Sequence, residues 1–370
     1  MRQWRIIHTE SSVGWGGQEH RVFLELDWMR RHGHAVALLA PPKAEIYARA
    51  KAAGIPVEAV SFQRGRMPLE VVRLRRRFAR GGADVVNTHS SRDAWTAGLA
   101  ARLAGVPLVI RSRHIEVDYR ASLLTRANFE LLHDYVLTTS QVISQRLVRE
   151  AGLDAKRVEC LPTGVDLRRF DPATVEPGKL HRELDLPPST PLVGMVSVIR
   201  SWKGHAVFLE AARRLIDAGS PAHFTMTGGE MGRRELLEKI EKLGLVGRAH
   251  YIGYREDVPE VLASLAALVL PSTAHEGVPQ AVLQAHAMAR PVVGSRIGGI
   301  PEVVEHGVTG LLAAPGDATG LAAQIHAVLE NPAAAQRRAE TARKLVREHH
   351  SDDAMGRRLL EIYQRYLPKD

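Results

Sequence analysis

Three stretches of this 370-residue chain carry residues whose types and spacing can act on a ligand. The first follows the earliest apolar run. In SSVGWGGQEHR, Gly14, Gly16 and Gly17 precede a helical pattern that opens near Gln18. Glycines let a backbone approach a ligand closely, and a helix start offers free N–H groups to a phosphate. The spacing G-x-G-G is not the dinucleotide fingerprint. A tight structural turn and a ligand loop both fit it. The second stretch is SVIRSWKGH, where Arg200 and Lys203 stand just beyond an apolar strand pattern. Open α/β sheets place ligands at the carboxyl ends of their strands. Two cations there can hold a diphosphate without a metal, Arg through paired hydrogen bonds and Lys as a point charge; ordinary solvated loop charges are the alternative. The third is PSTAHEGVPQAVLQAHAMARPVVGS, in which Glu276 follows an apolar strand and Gln284 stands eight residues on. The helix after the loop sets these about two turns apart. One carboxylate and one amide can thus face a single ligand, with helix N–H groups turned toward phosphate oxygens.

Such loops need a frame, and the chain supplies one. Short apolar runs alternate with longer helical patterns throughout, which predicts parallel sheets covered by helices. Strands are expected at 4–8, 35–40, 57–60, 85–89, 108–112, 135–138 and 158–161, with helices such as 18–31 and 94–103 between them. A Pro-rich, charged stretch, FDPATVEPGKLHRELDLPPSTP, precedes a second series with strands at 192–198, 223–227, 249–252, 267–270, 291–294 and 310–313. The fold class is therefore α/β with two Rossmann-like domains, residues 1–183 and 184–352, with a last helix at about 353–370. The length agrees, because a single core rarely organises so long a chain.

Composition limits the function classes. No apolar run approaches the roughly 18 to 20 residues of a membrane span, and the start, MRQWRIIHTE, reads as a strand rather than a signal peptide. A cytoplasmic address is expected. Cys160, the single cysteine, excludes an internal disulfide and reads as a buried strand thiol. Neither the carboxylate nor the histidine spacings suggest a metal cage, and no metal or cofactor is expected. The net charge of +9 lies in the first half, where residues 1–180 hold 28 Lys and Arg against 19 Asp and Glu. Its densest part is Arg73, Arg75, Arg76, Arg77 and Arg80, in a helical pattern whose buried stripe is read as Leu69, Val72, Leu74 and Phe78. This is either a solvated face or a surface for an anionic membrane or acidic acceptor. Nucleic acid is not expected, since no recognition motif accompanies the charge.

The order of the loops resembles glycosyltransferase family 4, of the GT-B fold. The resemblance is carried by QEHRVFLEL, ADVVNTHSS, VIRSRH, LTTSQVISQRL, VECLPTGVDLRRF, IRSWKG, MTGGE, HYIGYREDV, PSTAHEG and GGIPEVVEHGVTGLL, and it covers nearly the whole chain. It implies two domains facing each other across a cleft, a last helix crossing back to the first domain, and transfer of a sugar from a nucleotide diphosphate with the anomeric configuration retained. The acceptor it implies is a glycan or a lipid-linked glycan, in cell-surface polysaccharide or lipopolysaccharide synthesis at the inner face of the membrane. By the same resemblance, Arg200 and Lys203 clamp the diphosphate, and Glu276 holds hydroxyls of the donor sugar. His114 stands near the donor sugar and the attacking acceptor. Gly16 and Gly17 face the phosphates or the acceptor, and Gly228 and Tyr254 flank the nucleotide. Gly277, Val278, Pro279 and Gln280 line the donor loop, and Gln284 takes the ribose.

Three positions depart from the family pattern. Gln284 stands where the second glutamate is usual, Pro279 replaces a glycine, and the Arg-to-Lys spacing in RSWK is short. A nucleotide-sugar 2-epimerase, or a sugar-nucleotide-binding protein without catalysis, would share the fold and the diphosphate site. His89 reads equally as a packed residue or a ligand.

Overall fold

The computed structural model describes residues 2–115 and 126–367, and the end of the expected last helix, residues 368–370, lies outside them. Two compact units form. One comprises residues 1–164 with 352–370, the other residues 165–351.

In the first unit, seven strands run parallel in the order β3-β2-β1-β4-β5-β6-β7. They are β1 (Arg5–Thr9), β2 (Ala35–Ala40), β3 (Val57–Ala59), β4 (Val85–Thr88), β5 (Leu108–Arg113), β6 (Tyr135–Thr138) and β7 (Val158–Cys160). Burial on both faces is why the five inner strands read as mostly apolar runs, while the edge strands β3 and β7 are only partly buried or exposed. The C-terminal helix Asp352–Tyr366 belongs to this unit and packs on the helix Gly17–Arg31. Gly356 lies flat against the Trp28 ring, and Trp28 Nε1 donates to Asp353 at 2.8 Å. A side chain at position 356 would collide with the indole.

The second unit repeats the plan with six parallel strands in the order β10-β9-β8-β11-β12-β13. These are β8 (Leu192–Met195), β9 (His223–Met226), β10 (Ala249–Tyr251), β11 (Ala267–Leu270), β12 (Val292–Ser295) and β13 (Leu311–Ala313). Val165, Phe170 and Leu180 pack into its core. In each sheet the strand order reverses once, between β1 and β4 and between β8 and β11. Such reversals open a crevice at the carboxyl ends of the two central strands.

Two expectations need correction. On the helix Met67–Gly81 the buried residues are Val71, Leu74 and Phe78, while Leu69 is 75% and Val72 50% exposed. The apolar positions of this helix form two stripes of helical spacing, and packing against the helix Ser91–Ala104 selects the one through Val71. Cys160 lies in β7 but is only partly buried.

Candidate active site

The loops at the reversal of the second sheet bring together two of the expected residues. Lys203 closes a short 3₁₀ turn, Ser201–Lys203, after β8, and Glu276 sits in the loop after β11. Lys203 Nζ lies 2.6 Å from Glu276 Oε1, with side-chain exposures of 19% and 5%. Ser272 Oγ donates to the same oxygen at 2.6 Å. The two loops are also joined through backbone, since Thr273 N–H donates to Trp202 O at 2.7 Å.

Close backbone approach holds this pair. Gly204 has φ +78°, and a Cβ there would fall far inside van der Waals contact with the Pro271 carbonyl oxygen. Gly298, after β12, has φ +54°, and a Cβ there would likewise collide with the Glu276 carbonyl oxygen. His275, beside Glu276, holds φ +61° in the left-handed region, which a non-glycine residue adopts at a cost of about 1 kcal/mol or more. Strain of this kind persists where surrounding contacts over-determine it. Here it turns the chain so that the Glu276 carboxylate meets Lys203.

The remaining donor-loop residues lie on the same strand edge. Gly277, Val278 and Pro279 are buried, and Pro279 is the N-cap of the helix Gln280–Ala287. Gln280 and Gln284 share one face of that helix, a turn apart, with Gln284 buried. Arg200 takes a different direction from Lys203. Its Nη1 donates to Ile199 O at 3.1 Å and to Met231 Sδ at 2.7 Å, at the loop after β9. Gly228, in that loop, accepts from the Tyr251 hydroxyl at 2.8 Å and donates to Gly253 O at 3.0 Å. Tyr254 follows β10 and is half exposed. A cavity of about 1020 Å³ in this unit opens at the other edge of the sheet, lined by Leu192, Ala266 and Pro291 at the strand starts. It lies away from these groups.

At the reversal of the first sheet, Gly16 is the N-cap of the helix Gly17–Arg31, and its N–H donates to Glu19 Oε2 at 2.8 Å. Nothing lies within 4 Å of a Cβ placed at Gly17. His114, directly after β5, is buried. Three groups here, Glu10, His8 and Glu25, were not singled out from the sequence, whereas His89 was read there as either packed or a ligand. Glu10, after β1, accepts from Ser12 N–H at 2.7 Å, Ser90 Oγ at 2.5 Å and Gln18 Nε2 at 2.6 Å. Burial, with Asp93 and Glu19 nearby, pushes its carboxyl up to about 8. His8 and His89 stand in line with His114, and His8, Glu25 and His89 bring ligand-type atoms within 4.8 Å of one another. Their separations of up to 81 residues leave no local spacing to read.

Comparison with known proteins bears on the family and the fold that carry these residues. Residues 15–169 match the family described as Glycosyltransferase Family 4, and residues 190–331 match the one described as Glycosyl transferases group 1. The chain belongs to glycosyltransferase family 4. It is 27% identical over 319 residues to 2-deoxystreptamine glucosyltransferase of Streptomyces kanamyceticus, covering 81% of each protein. It is 28% identical over 243 residues to the UDP-Gal:alpha-D-GlcNAc-diphosphoundecaprenol alpha-1,3-galactosyltransferase of Escherichia coli, 62% of each. Its fold superposes on a glycosyltransferase from Rickettsia africae ESF-5 with a TM-score of 0.91, at 22% identity over 100% of both chains. The GT-B plan expected of family 4, two Rossmann-like domains with parallel sheets, is therefore the one found. No described helix is long and apolar enough to cross a membrane.

Proposed function

We propose that this family 4 enzyme moves a sugar from a nucleoside diphosphate, a UDP-sugar in the first instance, to a glycan or lipid-linked glycan, retaining the anomeric configuration. The observation that carries the reading is the Lys203–Glu276 pair at the strand reversal of the second sheet. A cation and a carboxylate fixed side by side suit a sugar diphosphate, the ammonium facing phosphate and the carboxylate accepting from sugar hydroxyls. The Escherichia coli relative, whose name gives a UDP-sugar donor and a diphosphoundecaprenol-linked acceptor, supports the choice of donor and acceptor class.

Departure of the diphosphate builds charge on its oxygens, and Lys203 meets that charge from a preorganised position. Arg200 adds to the clamp once it releases Ile199 O and Met231, so Lys203 is the principal cation. Metal-independent transfer follows from this reading, with the cations in place of a divalent ion. Retention is assigned to front-face attack, in which the departing phosphate oxygen takes the acceptor's proton and the protein supplies position and charge. His114 contacts the donor sugar or the acceptor, and Gln284 holds ribose.

The test is incubation with UDP-, GDP- and ADP-sugars and a lipid-diphosphate-linked glycan, with product anomers assigned by NMR and a parallel series in EDTA. A retained α-linked product from a UDP-sugar, formed equally in EDTA, is expected. An inverted product rules out retention, activity lost in EDTA and restored by magnesium rules out the metal-free clamp, and epimerised donor without transfer rules out the reaction itself.

A further inference from the structure

Four buried side chains form a line at the carboxyl edge of the first sheet. Glu25 Oε2 lies 3.7 Å from His8 Nδ1, His8 Nδ1 lies 2.9 Å from His89 Nε2, and His89 Nδ1 lies 2.9 Å from His114 Nε2. The three rings come from adjacent strands, His8 in β1, His89 just past β4 and His114 just past β5, and they stack with centroids 4.9 and 5.2 Å apart. Burial favours the neutral form of all three. Burial, aided by Arg21, pushes His8 down to about 3, and burial is likewise the first cause of the lowering at His89 and His114, with Arg21 and Arg111 adding to it.

A neutral imidazole has one N–H to give and one lone pair to offer. Two nitrogen-to-nitrogen hydrogen bonds in series must therefore run in the same direction. If protons point toward His114, its own proton is left on Nδ1; if they point toward His8, that ring's proton is left on Nε2. Both of these end atoms are buried and have no partner among the described residues, so either direction leaves one unpaired N–H. The difference lies at the other end of the line. Burial raises the Glu25 carboxyl and Arg21 opposes that shift, by its charge and by a hydrogen bond from Nε to Oε1 at 2.6 Å; Arg21 stays charged in any protein, and the inference takes Glu25 in the carboxylate form this pairing favours. The second oxygen of this carboxylate faces His8 Nδ1, where it attracts an N–H and repels a lone pair.

We infer that Glu25, His8 and His89 are positioning residues that hold His114 as the Nδ1-protonated tautomer, so that it presents a hydrogen-bond donor rather than a base. The oxygen it would meet is a hydroxyl or phosphate oxygen of a bound sugar nucleotide or acceptor, and that half rests on the glycosyl-transfer reading. A donor suits the proposed chemistry, because it can steady an oxygen gaining charge without competing for the acceptor's proton. The order Glu-His-His-His differs from a metal site in this respect: Arg21 already occupies Glu25 and leaves a cation beside the place an ion would take.

The experiment uses the full chain labelled with ¹⁵N-histidine. His114 is assigned by its absence in His114→Gln, and its two nitrogens are classed as pyrrole-like or pyridine-like by chemical shift. The expected result is a pyrrole-like Nδ1 and a pyridine-like Nε2 in the ligand-free protein, with the pattern lost in His89→Phe and weakened in His8→Phe. In the same variants, kcat should fall about tenfold, the value of one hydrogen bond, with the donor KM within about twofold. A pyridine-like Nδ1 in the native chain overturns the inference, as does an unchanged His114 in both folded phenylalanine variants. Stoichiometric zinc in the purified protein, lost in His8→Phe, overturns it in favour of a metal centre. If the tautomer behaves as expected while His114→Gln keeps full turnover, the array stands and the role given to His114 in transfer fails.

Discussion

Lys203 and Glu276 touch each other where little solvent reaches them, and this shapes what mutation will do. Lys203→Ala strands a carboxylate that is 5% exposed, at a cost of about 3 to 5 kcal/mol of stability. Turnover should also fall a hundred- to a thousandfold, about 3 to 4 kcal/mol of lost transition-state stabilisation. The double variant Lys203→Ala with Glu276→Gln separates the two effects. Melting temperature should recover while turnover stays low, and recovery of both would make the pair structural. Gln284 should behave differently from Glu276. It is assigned to ribose, which does not react, so Gln284→Ala should raise the donor KM about tenfold and leave kcat within a few fold. Glu276→Ala should depress kcat, because the sugar it is assigned to changes charge and shape. Steady-state kinetics at saturating acceptor distinguish these, and the opposite pattern would show the two assignments to be exchanged.

At the scale of elements, the strands were legible nearly residue by residue. Ala35–Ala40, Tyr135–Thr138 and Ala267–Leu270 have the bounds their apolar runs predict, because a strand buried on both faces ends where polarity or a turn residue begins. The face of the helix Met67–Gly81 was not legible, since residues 69–72 and 71–78 both offer helical spacing. Its outcome carries a prediction. Leu69 and Val72 stand exposed beside exposed Arg76 and Arg80, whereas Arg73, Arg75 and Arg77 are tied to Ala59 O, Leu103 O and Glu58. If this face meets an anionic bilayer, Arg76→Gln with Arg80→Gln should weaken binding to phosphatidylglycerol vesicles more than tenfold, at about 1 kcal/mol per arginine near the surface. Sedimentation with vesicles measures it, and unchanged binding returns the face to simple solvation. Gly204 belongs to the same scale. An alanine there meets both a left-handed φ and the Pro271 carbonyl, so Gly204→Ala should cost about 2 kcal/mol or more in denaturant unfolding and displace Lys203, lowering turnover. A variant of native stability and full activity would show that the β8 and β11 loops can part without consequence.

Histidines in both units are shielded enough from solvent to favour their neutral form. Burial pushes His8 and His133 down to about 3 and His205, His286 and His350 to about 4, against 6.5 ordinarily. The unfolded chain takes up these protons first, so the stability they lend is complete above pH 6.5 and is lost as pH falls from there, at about 1.4 kcal/mol per pH unit for each histidine. Glu10 acts oppositely. Its raised carboxyl keeps a proton in the folded state, and that contribution, full below about 4.5, is lost as pH rises toward about 8. Melting temperature should therefore be highest between pH 6 and 7 and fall on both sides. His133→Gln should flatten the acid limb and Glu10→Gln the alkaline one, and parallel limbs in the variants would remove these groups as the cause.

The sequence by itself determined the class of fold, the strand segments and the loops that carry Lys203 and Glu276, because apolar period, glycine position and strand ends are local properties. It also carried the family through motifs spread along the chain. The tertiary structure alone decided that Lys203 pairs with Glu276, 73 residues away, that Arg200 turns toward Met231 instead, and that His8, His89 and His114 form one line. Periodicity reports that a strand is buried but not which strand lies beside it. The order β2-β1-β4-β5 arises from how helices cover both faces of a sheet. Only that order sets three histidines from separate strands within hydrogen-bond reach.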